Sequence, residues 1–479
     1  MAATKPLEEI KIADSHFLGF FFSVESIEEV HECRNKLKDS HPDAAHIPVI
    51  WFLGEENSGS DGDSLGAKNK WDEDGEPTDS VGPGMAQEVG LFFAEKKTHD
   101  FKQQHFGKKK GLMIGIVRYF GNRLLGVTCG RLAGCYRSIL RKTLHRRFFP
   151  HLPLEIDLTS LPEKDIFGMG AGDCELILNI VEDDLPSATA NTDSNGGGKV
   201  TPTSLVDRLL SELQFDCFEG AAGEELPRLQ NLQADLTSGF IPIYRYPGNY
   251  SGDVWTTFDW SPTSLQVKLA VEERLKPLVH QTMNHCVTNY YRDGTDFIAH
   301  HGDKDLDLNR EGVIVSISLG ETRVLELRRR AEPKDVFRLI LPHRSMFVLG
   351  PNTNQEWTHS ILPKEASQGV RLSLTMRDAT TFRDLSTGRL FGAGVATKTL
   401  DEIRMRTLLE NATCFAAFCA LSASMASKRA LAAGNVALIG TFVLGIYGLR
   451  LASNTIRGKY EERYARNFFS KNSSSGTKY

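Results

Sequence analysis

The stretch "NYYRDGTDFIAHHGDKD", residues 289–305, ends an apolar run with histidines and aspartates at short spacing. In a β-strand, side chains two positions apart share a face, so His301 and Asp303 would converge and could hold a metal ion. A His-x-Asp pair also arises by chance. A third ligand is offered by His359 in "QEWTHSILPK", which follows a strand-like "SMFVLG" and a turn-like "PNTN". Two imidazoles and one carboxylate leave positions open on iron(II) for a chelating co-substrate and dioxygen. Zinc hydrolases use similar donors, so the triad alone leaves the metal undecided.

The segment "RLSLTMR", read as a strand, puts Arg371, Ser373, Thr375 and Arg377 on one face with a guanidinium at each end. A dicarboxylate co-substrate needs fixed cations at both ends, and arginine recognises carboxylates through two donors at once. Two arginines in surface salt bridges are the plainer alternative for this segment in isolation. After His-x-Asp and a distal His, the co-substrate reading is the stronger one.

These residues must be positioned by a chain of 479 residues, too long for one typical domain. With 41% hydrophobic and 24% charged residues it is globular in composition. A net charge of -5 gives no polycation for neutralising phosphates, so any nucleic-acid contact must come from local patches. The eight cysteines form no CxxC pair, which suits a reducing compartment. The acidic start, "MAATKPLEEIKIADSHF", argues against a secretory signal.

Composition divides the chain into four parts. Residues 1–181 form a first domain, interrupted by a polar insert, "GEENSGSDGDSLGAKNKWDEDGEPTD". Residues 182–204, rich in Ser, Thr, Gly and Asn, read as a flexible linker. Residues 205–385 carry the metal motifs, and residues 386–479 are helix-forming with a basic, Ser-rich tail. Within that last part, 411–427 and 430–449 carry no charge. The second segment is long enough to cross a bilayer, and the basic residues after it would stay on the cytosolic side. A buried helical hairpin is the soluble alternative, because Ala, Ser and Gly dilute the hydrophobicity. The expected setting is therefore intracellular and membrane-associated, with both large domains facing the cytosol and the nucleus as alternative.

From about Pro227 to Phe382 the chain resembles the AlkB-like 2-oxoglutarate/iron(II) dioxygenases. "LPRL", "YRYPGN", "NYYRDGTDFIAHHGDKD", "SISLGETRVLELR", "LPHRSMFVLG", "QEWTHSILPK" and "RLSLTMR" follow one another in the family's order. The resemblance implies a double-stranded β-helix, or jelly roll, with the site in its mouth, and Fe(II) and 2-oxoglutarate as cofactors. It implies His301, Asp303 and His359 as iron ligands, with His300 outside the set. Asn289 and Tyr291 match residues that hydrogen-bond 2-oxoglutarate, Arg371 would bind its distal carboxylate, and Arg377 would stand near the chelating end. Ser373 replaces the family's usual Asn. The implied reaction is oxidative demethylation of an N-alkylated base in DNA or RNA, with release of succinate and formaldehyde. Asp305 would then face the base, and Tyr244 and Tyr246, in the segment resembling the substrate-covering lid, would stack on it.

Charge argues for wider alternatives. Region 203–385 holds about 25 acidic against about 20 basic residues, and Arg328 to Arg330 is its only dense basic run. Protein or lipid substrates stay open, as does a scaffold that has lost turnover.

"GLMIGIVRYFGNRLLGVTCGRLAGCYRSILRKTL" reads as a strand, a glycine-punctuated turn and a basic amphipathic helix. With "SHFLGFFFSVESIEEVHECRNKL", "HPDAAH" and "DEDGEPTDSVGPGM" it resembles the Impact, or YigZ-like, amino-terminal domain over about residues 12–180. This implies an α+β, ribosomal-protein-S5-like fold and a protein partner in translational control. Asn122, Thr128 and Cys129 stand where that family usually has glycines. Arg118, Glu76 and Asp74 are a candidate polar site there. The helix with Arg137, Arg141, Lys142, Arg146 and Arg147 is a candidate contact surface for RNA, ribosome or acidic protein, against the default of a solvated face.

Overall fold

The computed structural model describes residues 5–12, 15–53, 70–76, 81–95, 111–119, 129–163, 165–183, 204–220, 223–236, 239–252, 254–276, 281–364, 366–427, 459, 463 and 465–467. The first half is an α+β unit. Its elements are β1 (Glu8–Ile12), β2 (Ser15–Val24), α1 (Ile27–Ser40), β3 (Val49–Phe52), β4 (Lys70–Asp72), α2 (Gly82–Glu95), β5 (Gly111–Tyr119) and α3 (Cys129–Phe148). The strands form an antiparallel sheet in the order β1-β2-β5-β3-β4. Alternation along them feeds two cores. Val49 and Met113 face Val30 and Leu37 of α1, while Ile50 and Ile114 face Met85 of α2 and Ile139 of α3. Helix α1 starts at Ser26, whose side chain accepts from the Glu29 amide and satisfies one of the donors that a helix start leaves free.

The second half is β-rich. It comprises β6 (Glu155–Leu158), β7 (Ile166–Met169), β8 (Cys174–Ile177), α4 (Leu205–Glu212), β9 (Asp216–Glu219), β10 (Glu225–Ala234), β11 (Phe240–Pro242), β12 (Thr257–Phe258) and α5 (Pro262–Leu275). There follow β13 (His285–Tyr291), β14 (Ile298–His301), β15 (Ile314–Gly320), β16 (Arg323–Arg329), β17 (Val336–Leu341), β18 (Ser345–Leu349), α6 (Pro351–Glu356), β19 (Trp357–Ile361) and β20 (Arg371–Arg377). The chain continues through β21 (Thr381–Asp384), β22 (Leu390–Gly392) and α7 (Leu400–Ser427).

Two sheets face each other across a shared core. The larger runs β12-β10-β13-β20-β15-β18-β8-β7 with β9 beside β10, and the smaller runs β14-β19-β16-β17-β6. Tyr291, Leu327, Phe347 and Trp357 fill the space between them. The outer face of the larger sheet is covered by α4 and α5, whose Leu205, Leu209, Val267 and Val271 pack on Met346, Leu374 and Met376. Ser261 caps α5 and Pro262 occupies its first turn, where a missing N–H costs nothing.

The sheets do not divide at the expected linker. β6 pairs in parallel with β17, and β8 pairs antiparallel with β18, so residues 155–177 complete both sheets of the second half. The expected boundary at 181 therefore lies too late. Strands β17 and β18 would otherwise expose unpaired backbone donors and acceptors, and the chain before the linker supplies their partners. Asp173, just before β8, also accepts from the Asn352 amide at 2.8 Å and from the Thr353 amide and hydroxyl, so it caps the start of α6.

Among the described residues no helix is long and apolar enough to cross a membrane. The first uncharged segment, 411–427, lies in α7, where Ala and Ser dilute the apolar residues. The second, 430–449, lies outside the described residues.

Candidate metal and co-substrate site

His301 ends β14 and lies opposite His359 in the β14–β19 register, so the two imidazoles meet across one pair of strands. Their ring centroids are 4.2 Å apart. Asp303 follows in the loop. One ligand atom from each of His301, Asp303 and His359 lies within 4.8 Å of the others, a spacing suited to a single ion. Nδ1 of His301 is 2.8 Å from the Ala299 carbonyl; as an N–H donor there, it leaves Nε2 to face Asp303, 3.6 Å away. Burial pushes the His359 imidazole down to about 3 and lowers that of His301, so both are neutral donors at ordinary pH.

Burial alone would raise the Asp303 carboxyl, but the Arg377 guanidinium and the two imidazoles hold it well below the usual carboxylate range. Arg377 donates to Asp303 Oδ2 through Nε at 3.2 Å and Nη2 at 2.7 Å. The Asp303 backbone is fixed separately: its amide donates to Asn354 Oδ1 at 2.9 Å, and Asn354 Nδ2 donates to its carbonyl at 2.8 Å. His300 points elsewhere, its Nε2 2.9 Å from Glu326, as the His-x-Asp spacing requires.

Arg371, at the other end of β20, is 1% exposed. Its Nη2 donates to Ser318 Oγ at 2.8 Å, while Nε and Nη1 are buried without a partner. The guanidinium lies 4.9 Å from the Tyr291 ring centroid. A buried cation with unmatched donors is costly, and a carboxylate with two oxygens is the group that would satisfy it. Asn289 lies opposite Ser373 in the sheet. Its Oδ1 accepts from Arg228 at 2.9 Å and Gln230 at 2.7 Å, which leaves its amide nitrogen as a donor. Ser373 Oγ is 2.8 Å from Ser316 Oγ, on the strand face that Ser373 shares with Arg371 and Arg377. The donor set and the unmatched donors of Arg371 thus fit iron(II) and 2-oxoglutarate.

The residues expected to meet substrate are placed differently. Tyr244 is 5% exposed, packs in the core beneath Arg377 at 4.3 Å, and its hydroxyl accepts from the Lys304 amide at 3.1 Å. It is a support, not an open stacking platform. Tyr246 is partly buried against the same core, its ring 5.6 Å from that of Tyr244. Asp305 is half-exposed and 3.5 Å from Arg310. Sequence reasoning missed Ser318 and Asn354; the latter sits in the "PNTN" run read only as a turn. His285, opposite Arg377 in the β13–β20 register, is also buried beside the site.

Most of the other basic candidates are engaged, whereas the Arg330 guanidinium lies against Gly302, between His301 and Asp303. Arg328 bonds Glu326 at 2.5 Å and Arg329 lies 3.8 Å from Asp335. On α3, Arg141 pairs with Glu88, Lys142 donates to the Gly170 carbonyl at 2.8 Å, Arg146 bonds Glu8 at 2.7 Å, and Arg147 lies 5.0 Å over the Phe21 ring. Four of the five basic side chains thus have contacts within the protein, with Arg147 still exposed. Arg118 and Tyr136 both donate to buried Glu76, at 2.5 and 2.7 Å. Asp74 turns away to Arg34, Lys38 and the Ile47 amide, so the expected three-residue polar site does not assemble. Asn122 and Thr128 lie outside the described residues.

A family model described as the 2OG-Fe(II) oxygenase superfamily matches residues 201–377. The chain belongs to this superfamily and is an AlkB-like dioxygenase, with Fe(II) and 2-oxoglutarate as its cofactors. Among curated proteins it is similar to the DNA oxidative demethylase ALKBH2 of Mus musculus, 32% identical over 195 residues that cover 38% of this chain and 76% of that protein. The Homo sapiens ALKBH2 is 31% identical, with coverages of 38% and 69%. The alpha-ketoglutarate-dependent dioxygenase alkB homolog 3 of Bos taurus is 29% identical, and the match covers 25% of this chain and 43% of that protein. The chain thus spans less than half the length of that last relative.

Proposed function

We propose that this protein oxidatively demethylates N-alkylated bases in DNA or RNA, with His301, Asp303 and His359 as iron ligands. The observation that carries the co-substrate assignment is the buried Arg371 with two unmatched donors, on the same strand as the Arg377 that holds Asp303. The substrate class rests on the relatives named as DNA oxidative demethylases.

When bound, iron(II) and 2-oxoglutarate supply an oxidant from dioxygen with release of succinate and carbon dioxide. The chain's own residues do the rest. His301 and His359 offer neutral nitrogens, and Arg377 keeps Asp303 ionised and aimed. Arg371 receives the distal carboxylate, the Asn289 amide donates to the co-substrate, and Tyr291 supports Arg371 from below. Ser373, between the two arginines on β20, is held by Ser316. Hydroxylation of an N-methyl group gives a hemiaminal, which releases formaldehyde and restores the base.

The test is succinate and formaldehyde formation by the full chain on methylated single- and double-stranded DNA and RNA, with His301→Ala as control. Both products in equal amounts, lost in the control, are expected. Succinate without formaldehyde on any oligonucleotide would move the substrate to protein or lipid. The reading extends to an Impact-like module in the first half, with a translation-related partner, and to membrane attachment through 430–449. Deletion of 405–479 should shift the protein from membrane pellet to supernatant, and an unchanged distribution ends the attachment reading.

A further inference from the structure

A short piece of the basic tail comes back onto the oxygenase domain. Ala465 is fully buried against Leu306, with Tyr250 packed on the same cluster. Leu306 lies three residues beyond Asp303, in the same loop. Tyr250 belongs to the segment after β11 that runs beside this loop, since the Arg245 amide and guanidinium both bond Asp307. Next to Ala465, the Arg466 guanidinium lies 4.3 Å from the Tyr250 ring centroid, and Arg466 and Arg463 are exposed. The loop that carries a metal ligand is therefore edged by a segment from the far end of the chain.

This placement bears on a charge mismatch. Region 203–385 has more acids than bases; of its only dense basic run, Arg328 and Arg329 are paired within the domain and Arg330 alone reaches the metal-ligand loop, at Gly302. A protein that binds a nucleic-acid strand needs cations near the reacting base, because phosphate contacts supply much of the affinity. Residues 450–479 carry seven basic against two acidic residues. An aromatic ring beneath a guanidinium restricts its position and lowers the entropy lost on binding an anion.

We propose that the segment around Ala465 forms part of the substrate-side wall, with Arg466 and Arg463 supplying cations for the phosphates of a bound strand. The inference rests on the nucleic-acid demethylase reading. Ala465 is the anchor, small enough to seat against Leu306, and the arginines are carried into position by it.

The test uses the full chain with Fe(II) and 2-oxoglutarate under anaerobic conditions. Binding of a fluorescent single-stranded oligonucleotide carrying one N-methylated base is followed by anisotropy over a range of KCl concentrations. Arg466→Gln should weaken binding roughly 3- to 10-fold and make the log–log salt slope shallower by about 0.7, and Arg463→Gln added to it by about 1.4. Arg466→Lys should keep the slope. Ala465→Glu should weaken binding by displacing the segment, with its melting curve recorded beside that of Arg466→Gln, which removes the guanidinium from the Tyr250 ring and leaves Ala465 seated on Leu306. Arginine variants that match the parent in affinity and slope overturn the inference and leave the demethylase reading standing. A parent chain that turns over 2-oxoglutarate yet binds no methylated oligonucleotide overturns both.

Discussion

Asn354 holds both backbone polar groups of Asp303, accepting from its amide and donating to its carbonyl, while Arg377 holds the carboxylate. A loop residue is thus fixed at three points, two from Asn354 of α6 and one from Arg377 of β20. Asn354→Ala frees the backbone and leaves the side-chain ion pair. Iron(II) affinity should fall about 10- to 100-fold, the usual effect of losing an outer support of a metal ligand. Titration followed by the visible band of the iron–2-oxoglutarate complex measures this, and an unchanged midpoint would show that Arg377 suffices.

Arg371→Met should act in opposite directions on stability and activity. Removing a buried cation with two unmatched donors should stabilise the co-substrate-free protein by about 1–3 kcal/mol. The KM for 2-oxoglutarate should rise by roughly 100-fold, as expected for a lost charged hydrogen-bond pair. Thermal melting with and without 2-oxoglutarate reads both effects, since the variant should melt higher alone and gain nothing from the co-substrate.

Lys142 gives a pH signature away from the metal. Burial pushes its ammonium down to about 8 from an ordinary 10.5. Below pH 8 both folded and unfolded chains hold the proton, and folding bears the full cost of burying the charge. Between about pH 8 and 10.5 the unfolded chain holds more protons, so stability rises with pH in this window. Relative to Lys142→Met, the parent should gain on the order of 2 kcal/mol between pH 7 and pH 10. Denaturant melts of both proteins at the two pH values give the difference, and parallel curves would remove Lys142 as the cause.

Domain excision should depend on where the cut falls. A fragment starting at 205 lacks β6 and β8 and exposes the edges of β17 and β18, so it should aggregate or melt without cooperativity. A fragment starting near 150 keeps both pairings and should remain monomeric. Size-exclusion chromatography distinguishes them, and a monomeric, cooperatively melting fragment from 205 would show that the added strands are dispensable.

The metal and co-substrate motifs were legible because each is local. His301 and Asp303 are two residues apart, and strand alternation alone puts Arg371 and Arg377 on one face. What escaped notice depends on distant pairing. β6 meets β17 across about 180 residues, and "EIDL" carries nothing that names its partner. The α3 arginines looked free because a helix pattern cannot show that Glu8 and Glu88 will meet them. Tyr244 was placed by its resemblance to a covering segment, which does not reveal that its ring packs beneath Arg377. Asn354 was hidden by its turn chemistry, which explains "PNTN" without any reference to Asp303.

The parallel pairing of β6 with β17 and the antiparallel pairing of β8 with β18 put both sides of the linker into the same two sheets. A polypeptide cleaved between residues 184 and 203 would consequently remain one particle, its two pieces held by shared ladders and a common interior. Reconstituted from separately expressed halves, it would behave as a fragment-complemented enzyme in which the leading piece acts as a folding template for the trailing one.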